Sequence, residues 1–188
     1  AGISLSGKLF LLVGGSGSGK STITALLLAM GCAALGDDVL RFAPAERVFG
    51  AVPRSLKLDS NTLTILPLDA RKKATDSVGT VLASDVWYVS PLAFGPSWLA
   101  EPGRPWAVVV LGEPPHRGEP ALVRFGEGQA AVRVVQGLLG GERGLGAGRR
   151  AEAGLALLEA GRDARAFQAV GEGAVALAGL IQEEAART

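Results

Sequence analysis

The chain has 188 residues, enough for one domain with a sizeable core, and its 48% hydrophobic content with a mean hydropathy of +0.30 predicts apolar surface to spare, so a homo-oligomer is an open expectation. Nineteen Lys and Arg stand against 18 Asp and Glu, a net charge of +1 that lacks the basic excess nucleic-acid binders use to displace counterions, so no nucleic acid is expected as partner. One Cys and one His exclude an intrachain disulfide and a Cys/His metal cluster, and apolar runs too short to span a bilayer predict a cytoplasmic protein with no membrane partner.

Leu9-Phe10-Leu11-Leu12-Val13 predicts a buried strand. Directly after it, Gly14-Gly15-Ser16-Gly17-Ser18-Gly19-Lys20-Ser21-Thr22 fits a phosphate-binding loop, with four residues between two glycines and then Lys and Ser. Glycines let the backbone curl so that several N–H groups aim at phosphate oxygens where Cβ atoms would obstruct. Lys20 supplies a point charge to the β- and γ-phosphates, and the Ser21 hydroxyl can ligand the Mg²⁺ that travels with a nucleotide. The helix predicted over Ile23 to Met30 adds its dipole. Nucleotide binding through Gly14 to Thr22 is the first reading.

Gly31 ends that helix, Cys32 reads as a small buried hydrophobe, and Gly36-Asp37-Asp38 leads into Val39 to Phe42, a strand interrupted by acid. A phosphate loop needs a second acidic element to hold metal or activate an acceptor, and Asp37 with Asp38 is the candidate. Alternation along a strand would point the two to opposite sides, one toward an acceptor hydroxyl and one toward metal or backbone. Arg54 and Lys57, in the extended segment that begins at Val52, are candidates for pinning a phosphate or an acidic substrate group. Further strands are expected at Arg47 to Phe49, Thr62 to Leu66, Val78 to Leu82, Asp85 to Val89 and Trp106 to Leu111, the last in the centre of a sheet. Arg71-Lys72-Lys73 reads as a solvated loop, His116 as a surface residue, Glu113 as a weak metal candidate, and Trp87, Trp98 and Trp106 as core or interface anchors. From Gly126 the composition turns helical: Gln129 to Leu139, Arg150 to Ala160 and Glu172 to Ala186, with a glycine-rich connection over 137–148. The expected organisation is one domain over 1–188, with 1–125 mainly strands plus the loop helix and 126–188 mainly helical.

Gly14 to Ser21, Gly31, and Leu35-Gly36-Asp37-Asp38-Val39 together resemble the HPr kinase/phosphorylase family. Pro53-Arg54-Ser55-Leu56-Lys57-Leu58 resembles a segment of its smaller relatives, which include kinases of lasso-peptide precursors. The resemblance covers about Leu9 to Leu58. It implies an α/β P-loop fold of the phosphoenolpyruvate-carboxykinase and HPr-kinase type, a mixed sheet with helices packed against it. It also implies transfer of the γ-phosphoryl group of Mg-ATP to a hydroxyl, a serine of a peptide or protein. On that resemblance ATP and Mg²⁺ are required, Asp37 is the base, Asp38 joins Ser21 on the metal side, and Lys20 offsets the charge that develops. The family carries Arg-Gly-Leu-Gly soon after its Asp pair, whereas here Arg143-Gly144-Leu145-Gly146 stands far downstream, so an acceptor other than HPr is expected. Two other readings stay open: a nucleotide-binding regulatory module without transfer, and a small-molecule kinase acting on free serine or a nucleoside.

Overall fold

The computed structural model describes residues 1–112, 118–126, 129, 132 and 147–187. The apolar run ending at Val13 forms β2 (Lys8–Val13), hairpinned to β1 (Gly2–Leu5). After the glycine loop comes α1 (Lys20–Ala29), which stops where Gly31 takes a φ of +86° and its N–H closes on the Leu28 carbonyl at 2.9 Å. β3 (Ala33–Gly36) precedes the hairpin of β4 (Leu40–Ala43) and β5 (Val48–Ala51). The middle of the chain supplies β6 (Leu56–Asp59), α2 (Ser60–Ile65), α3 (Leu68–Asp76), β7 (Val81–Ala83) and β8 (Val86–Val89). β9 (Pro105–Leu111), β10 (Ala121–Arg124), α4 (Ala147–Ala160), β11 (Arg165–Val170) and α5 (Ala174–Ala186) complete it.

These elements make an α/β structure with a mixed six-stranded sheet in the order β10-β11-β9-β2-β1-β3 and a smaller sheet β6-β8-β7. β2 pairs parallel with β9, and β9 parallel with β11. β1 is antiparallel to both β2 and β3, so β3 runs in the same direction as β2. The carboxyl ends of β3, β2, β9 and β11 therefore all open on one edge, where ligands of parallel sheets bind. At the opposite edge the ring of Trp106 lies against the cations of Lys8, 4.5 Å away, and Arg165, 4.3 Å away, a structural contact remote from the glycine loop.

Both faces of the large sheet are buried. Phe10 and Leu12 of β2, with Ala107 and Val109 of β9, join Leu26, Leu27 and Leu28 of α1 and Ala178 and Ile181 of α5 in one core. Leu9, Leu11 and Val13 face the other way, with Val108, Phe49 of β5 and Leu157 of α4. The small sheet packs on the α1 side through Leu56 and Leu58. No helix among the described residues is long and apolar enough to cross a membrane.

Several sequence expectations change. Thr62 to Leu66 is not a strand: α2 covers most of it, because the Asp59 carboxylate caps the helix by accepting from the Thr62 N–H at 2.6 Å, and this local bond outweighs the β-branched composition. Arg71, Lys72 and Lys73 lie on α3, not in a loop. Of Val78 to Leu82 only Val81 and Leu82 belong to a strand. In the last third the helices expected over Arg150 to Ala160 and Glu172 to Ala186 form as α4 and α5, and between them an unexpected strand, β11, fills an interior position of the sheet, its outer side covered by β10. The helix expected over 129–139, apart from Gln129 and Val132, and the connection over 137–148, apart from Ala147 and Gly148 at the start of α4, lie outside the described residues, as do Glu113 and His116.

Replacing the helix cap tests this local account. Asp59→Ala is expected to lower unfolding free energy by about 1 kcal/mol, read from urea denaturation, with the denaturant slope unchanged.

Candidate functional site

The site begins where β2, buried on both faces, runs out of apolar residues. Gly14 must be glycine for lack of room: a Cβ there would stand 2.5 Å from Ser18 Oγ and 2.8 Å from the Leu111 carbonyl oxygen. The loop turns tightly against the end of β9. Gly17 and Gly19 hold φ near +78° and +86°, and α1 starts directly at Lys20 with no side-chain cap and no acidic residue in its first turn. No residue of its own first turn neutralises its positive end, which lies at the carboxyl edge of the sheet.

Lys20 folds back over this turn. Its ammonium donates to the carbonyl oxygens of Gly14 at 2.8 Å and Gly15 at 2.6 Å, and to Ser18 Oγ at 3.3 Å. Burial pushes its pKa below the ordinary 10.5, opposed by the negative charges of Asp38 and then Asp37. Thr22 Oγ1 shares a 2.9 Å hydrogen bond with Thr62 Oγ1, tying the first turn of α1 to α2.

The Asp pair meets the loop directly. Asp37 follows β3 in a bend, is only 6% exposed, and its Oδ2 accepts from the Ser21 hydroxyl at 3.0 Å. Asp38, the next residue, has a side chain 65% exposed, with Arg54 Nη1 at 4.0 Å from its Oδ2. The strand expected through the acids is broken there, so a bend rather than strand alternation separates the two carboxylates. The structure thus gathers Lys20, Ser21, Asp37, Asp38 and Arg54. Lys57 is held elsewhere, on β6 opposite Tyr88 with its ammonium 5.9 Å from that ring.

Two cavities flank these residues. One of about 280 Å³ adjoins the loop and is walled in part by Gly17, Ser18, Gly19, Leu111, Gly112 and Ala174. The other, about 330 Å³, lies between the β4–β5 hairpin and residues 99–102 and includes Arg41, Pro53 and Glu101 but no residue of the loop or the Asp pair. Size alone would favour the second; the glycine loop adjoins the first. Thr62, the partner of Thr22, is a site-adjacent residue that sequence reading missed, because a strand was expected there and its capping signal, Asp59 three residues earlier, passed unread.

No family model, no curated protein and no solved structure matches the chain.

Gly14→Ala is expected to abolish measurable binding of tripolyphosphate in titration calorimetry while the chain stays folded by circular dichroism. A second outcome follows from Lys20. The unfolded lysine keeps its proton to higher pH than the folded one, so folding releases a proton between the folded pKa and 10.5, and stability rises with pH across that window. A polyphosphate beside the ammonium reverses the shift. Binding in that window should take up a proton, read from calorimetry in buffers of different ionisation enthalpy, and Lys20→Met should remove the uptake.

Proposed function

We propose that the chain is an ATP-dependent kinase, with the P-loop fold of the phosphoenolpyruvate-carboxykinase and HPr-kinase type, that transfers the γ-phosphoryl group of Mg-ATP to a serine hydroxyl of a peptide or protein. The observation that carries this reading is the Ser21 to Asp37 hydrogen bond, which joins the end of the glycine loop to the acidic element at the carboxyl edge of the sheet. A loop that cradled bare phosphate would have no need of a carboxylate at that point, whereas one that holds a magnesium nucleotide does, and Asp38 beside it supplies the second carboxylate that transfer to a hydroxyl requires.

The donors fit a magnesium ion, which prefers a few hard oxygen ligands and keeps water on its other positions. Ser21 and Asp37 would hold it, and the ion would neutralise charge on the phosphates. Lys20 and the backbone N–H groups of Gly15 to Gly19 bind and orient the same phosphates.

Burial favours an exchange of the roles that the family resemblance implies for the two acids. Asp37, enclosed and bonded to the Ser21 hydroxyl, suits the metal side. Asp38, open to solvent one residue on, can reach an acceptor hydroxyl and take its proton as the phosphoryl group transfers. Arg54, half-exposed beside Asp38, can clamp a phosphate oxygen or an acidic group of the acceptor. Neither cavity is lined by either acid, and the exposure of Asp38 fits a large acceptor presenting its serine from outside better than a small molecule enclosed in a pocket. An ATP-dependent activity is in keeping with the expected cytoplasmic setting.

Incubation with labelled ATP, Mg²⁺ and candidate peptides, followed by mass spectrometry, should find phosphoserine. Asp38→Asn is expected to reduce kcat by about 10²- to 10⁴-fold with nucleotide affinity nearly unchanged. Asp37→Asn should instead raise the Mg²⁺ concentration needed for half-maximal rate. Wild-type protein that binds ATP yet phosphorylates no peptide and no small hydroxyl compound would overturn the kinase reading.

A further inference from the structure

The hairpin of β4 and β5 presents two faces. Phe42 and Phe49, directly opposite each other with ring centroids 4.9 Å apart, root its inner face in the core. Its outer face carries Arg41 opposite Gly50 and Ala43 opposite Val48, and all four line the cavity of about 330 Å³, within the size range of ligand sites, about 300 to 1,000 Å³. The facing wall, residues 99–102, is fixed by backbone bonds on either side. The Ala100 N–H donates to the Ala34 carbonyl at 3.0 Å, and Phe49 and Gly103 exchange bonds of 2.8 and 2.9 Å. The cavity is therefore held open by the fold itself. Val48, Ala51, Leu99 and Ala100 give it apolar surface, and Leu99 remains 47% exposed. Arg41 and Glu101 add one charge of each sign, which offset each other rather than select an ion.

One end of this cavity lies beside the acids. The Val52 N–H donates to the Leu35 carbonyl at 3.2 Å, bringing the end of β5 to the carboxyl end of β3. Pro53 then lines the cavity, and the next residue, Arg54, reaches to 4.0 Å from the Asp38 carboxylate. Along β4, Arg41 is three residues from Asp38 and Ala43 is five, so a fully extended chain of about 3.6 Å per residue puts them at most about 11 and 18 Å away. An extended peptide covers the same span with three to five residues of its own.

From this continuity we infer that the cavity takes an apolar side chain of an extended acceptor peptide, three to five residues from the serine that meets Asp38. The assignment rests on the kinase reading above and adds which serine peptides are accepted. A leucine or phenylalanine side chain entering the cavity covers Leu99, Val48 and Ala51, surface that an alanine or a charged side chain leaves wet.

The test uses the whole chain with Mg-ATP and a degenerate peptide library carrying one serine, with one neighbouring position per pool fixed as Leu, Phe, Ala, Asp or Lys. Leu or Phe three to five residues to one side of the serine should raise kcat/KM about tenfold or more over Ala, Asp and Lys there. Gly50→Phe fills the cavity: the nearest atoms to an added Cβ are those of Pro102, at 3.8 and 3.9 Å, so the strand accepts a side chain. This variant should raise KM for the preferred peptide about tenfold or more, with kcat and the KM for ATP held, and erase the preference. Glu46→Phe, at the exposed hairpin turn outside the lining, should keep it.

Serine phosphorylation at equal rates in all pools overturns the assignment with wild-type protein alone, whether or not Gly50→Phe folds, and leaves the kinase reading standing. A preference that persists in folded Gly50→Phe also overturns it. So does a Gly50→Phe that turns a dimer into monomers with peptide kinetics unchanged, since a second copy would then be the occupant. If wild-type protein phosphorylates free serine or a nucleoside and no peptide, the peptide reading falls and this one with it.

Discussion

β2 carries apolar side chains on both faces, and a strand of that kind is stable only when helices or strands cover both sides of the sheet at once. α1 and α5 cover one face and β5, with Leu157 of α4, the other, while pairing with β9 satisfies the backbone groups of the strand. Because α1 must return over the same sheet directly after β2, the connection between them has to reverse within a few residues at the carboxyl edge. Gly14, pressed against the Leu111 carbonyl, is where the reversal begins. The position of the loop is thus a result of burial, and the chemistry at that edge depends on it.

Burial also explains the electrostatics. Lys20 is the second charge-bearing feature at the loop after the helix end, and it loses hydration by lying over the turn. Two carbonyl oxygens and a hydroxyl replace water around its ammonium, and the neighbouring Asp pair offsets the remaining cost. A partly desolvated cation whose partners are neutral dipoles is readily drawn to an incoming anion, whose charge outweighs them. Asp37 is held differently, by one hydroxyl donor in an enclosed position, while the carboxylate of Asp38 stays open to solvent beside Arg54.

How far the sequence could lead is set by which signals are local. The loop was legible because its glycines, Lys20 and Ser21 act within one turn of backbone. The identity of the Asp pair was legible too, but the side each acid faces was not, since strand alternation fails in a bend whose direction is fixed by packing between β3 and β4. β11 was missed for a related reason. Arg165-Ala-Phe-Gln-Ala-Val has no run of β-branched residues, and its extended form comes from pairing with β9, distant in the chain. α2 was misread in the opposite sense, with strand-like residues made helical by the single carboxylate of Asp59. Alternation over three residues of extended chain lets only one of Arg54 and Lys57 face the site, and Arg54 is the one beside Asp38 while Lys57 lies against Tyr88.

The strand order gives the site a direction. Along the carboxyl edge lie, in turn, the ends of β11 and β9 with the smaller cavity, the end of β2 with the glycine loop, and the end of β3 with the acids. On the proposed reading, a triphosphate over Lys20 would have its terminal phosphorus toward Ser21, Asp37 and Asp38. The antiparallel strand β1, placed between β2 and β3, sets the spacing: it moves the acids one strand beyond the loop, where a transferable group rather than the body of the nucleotide would meet them.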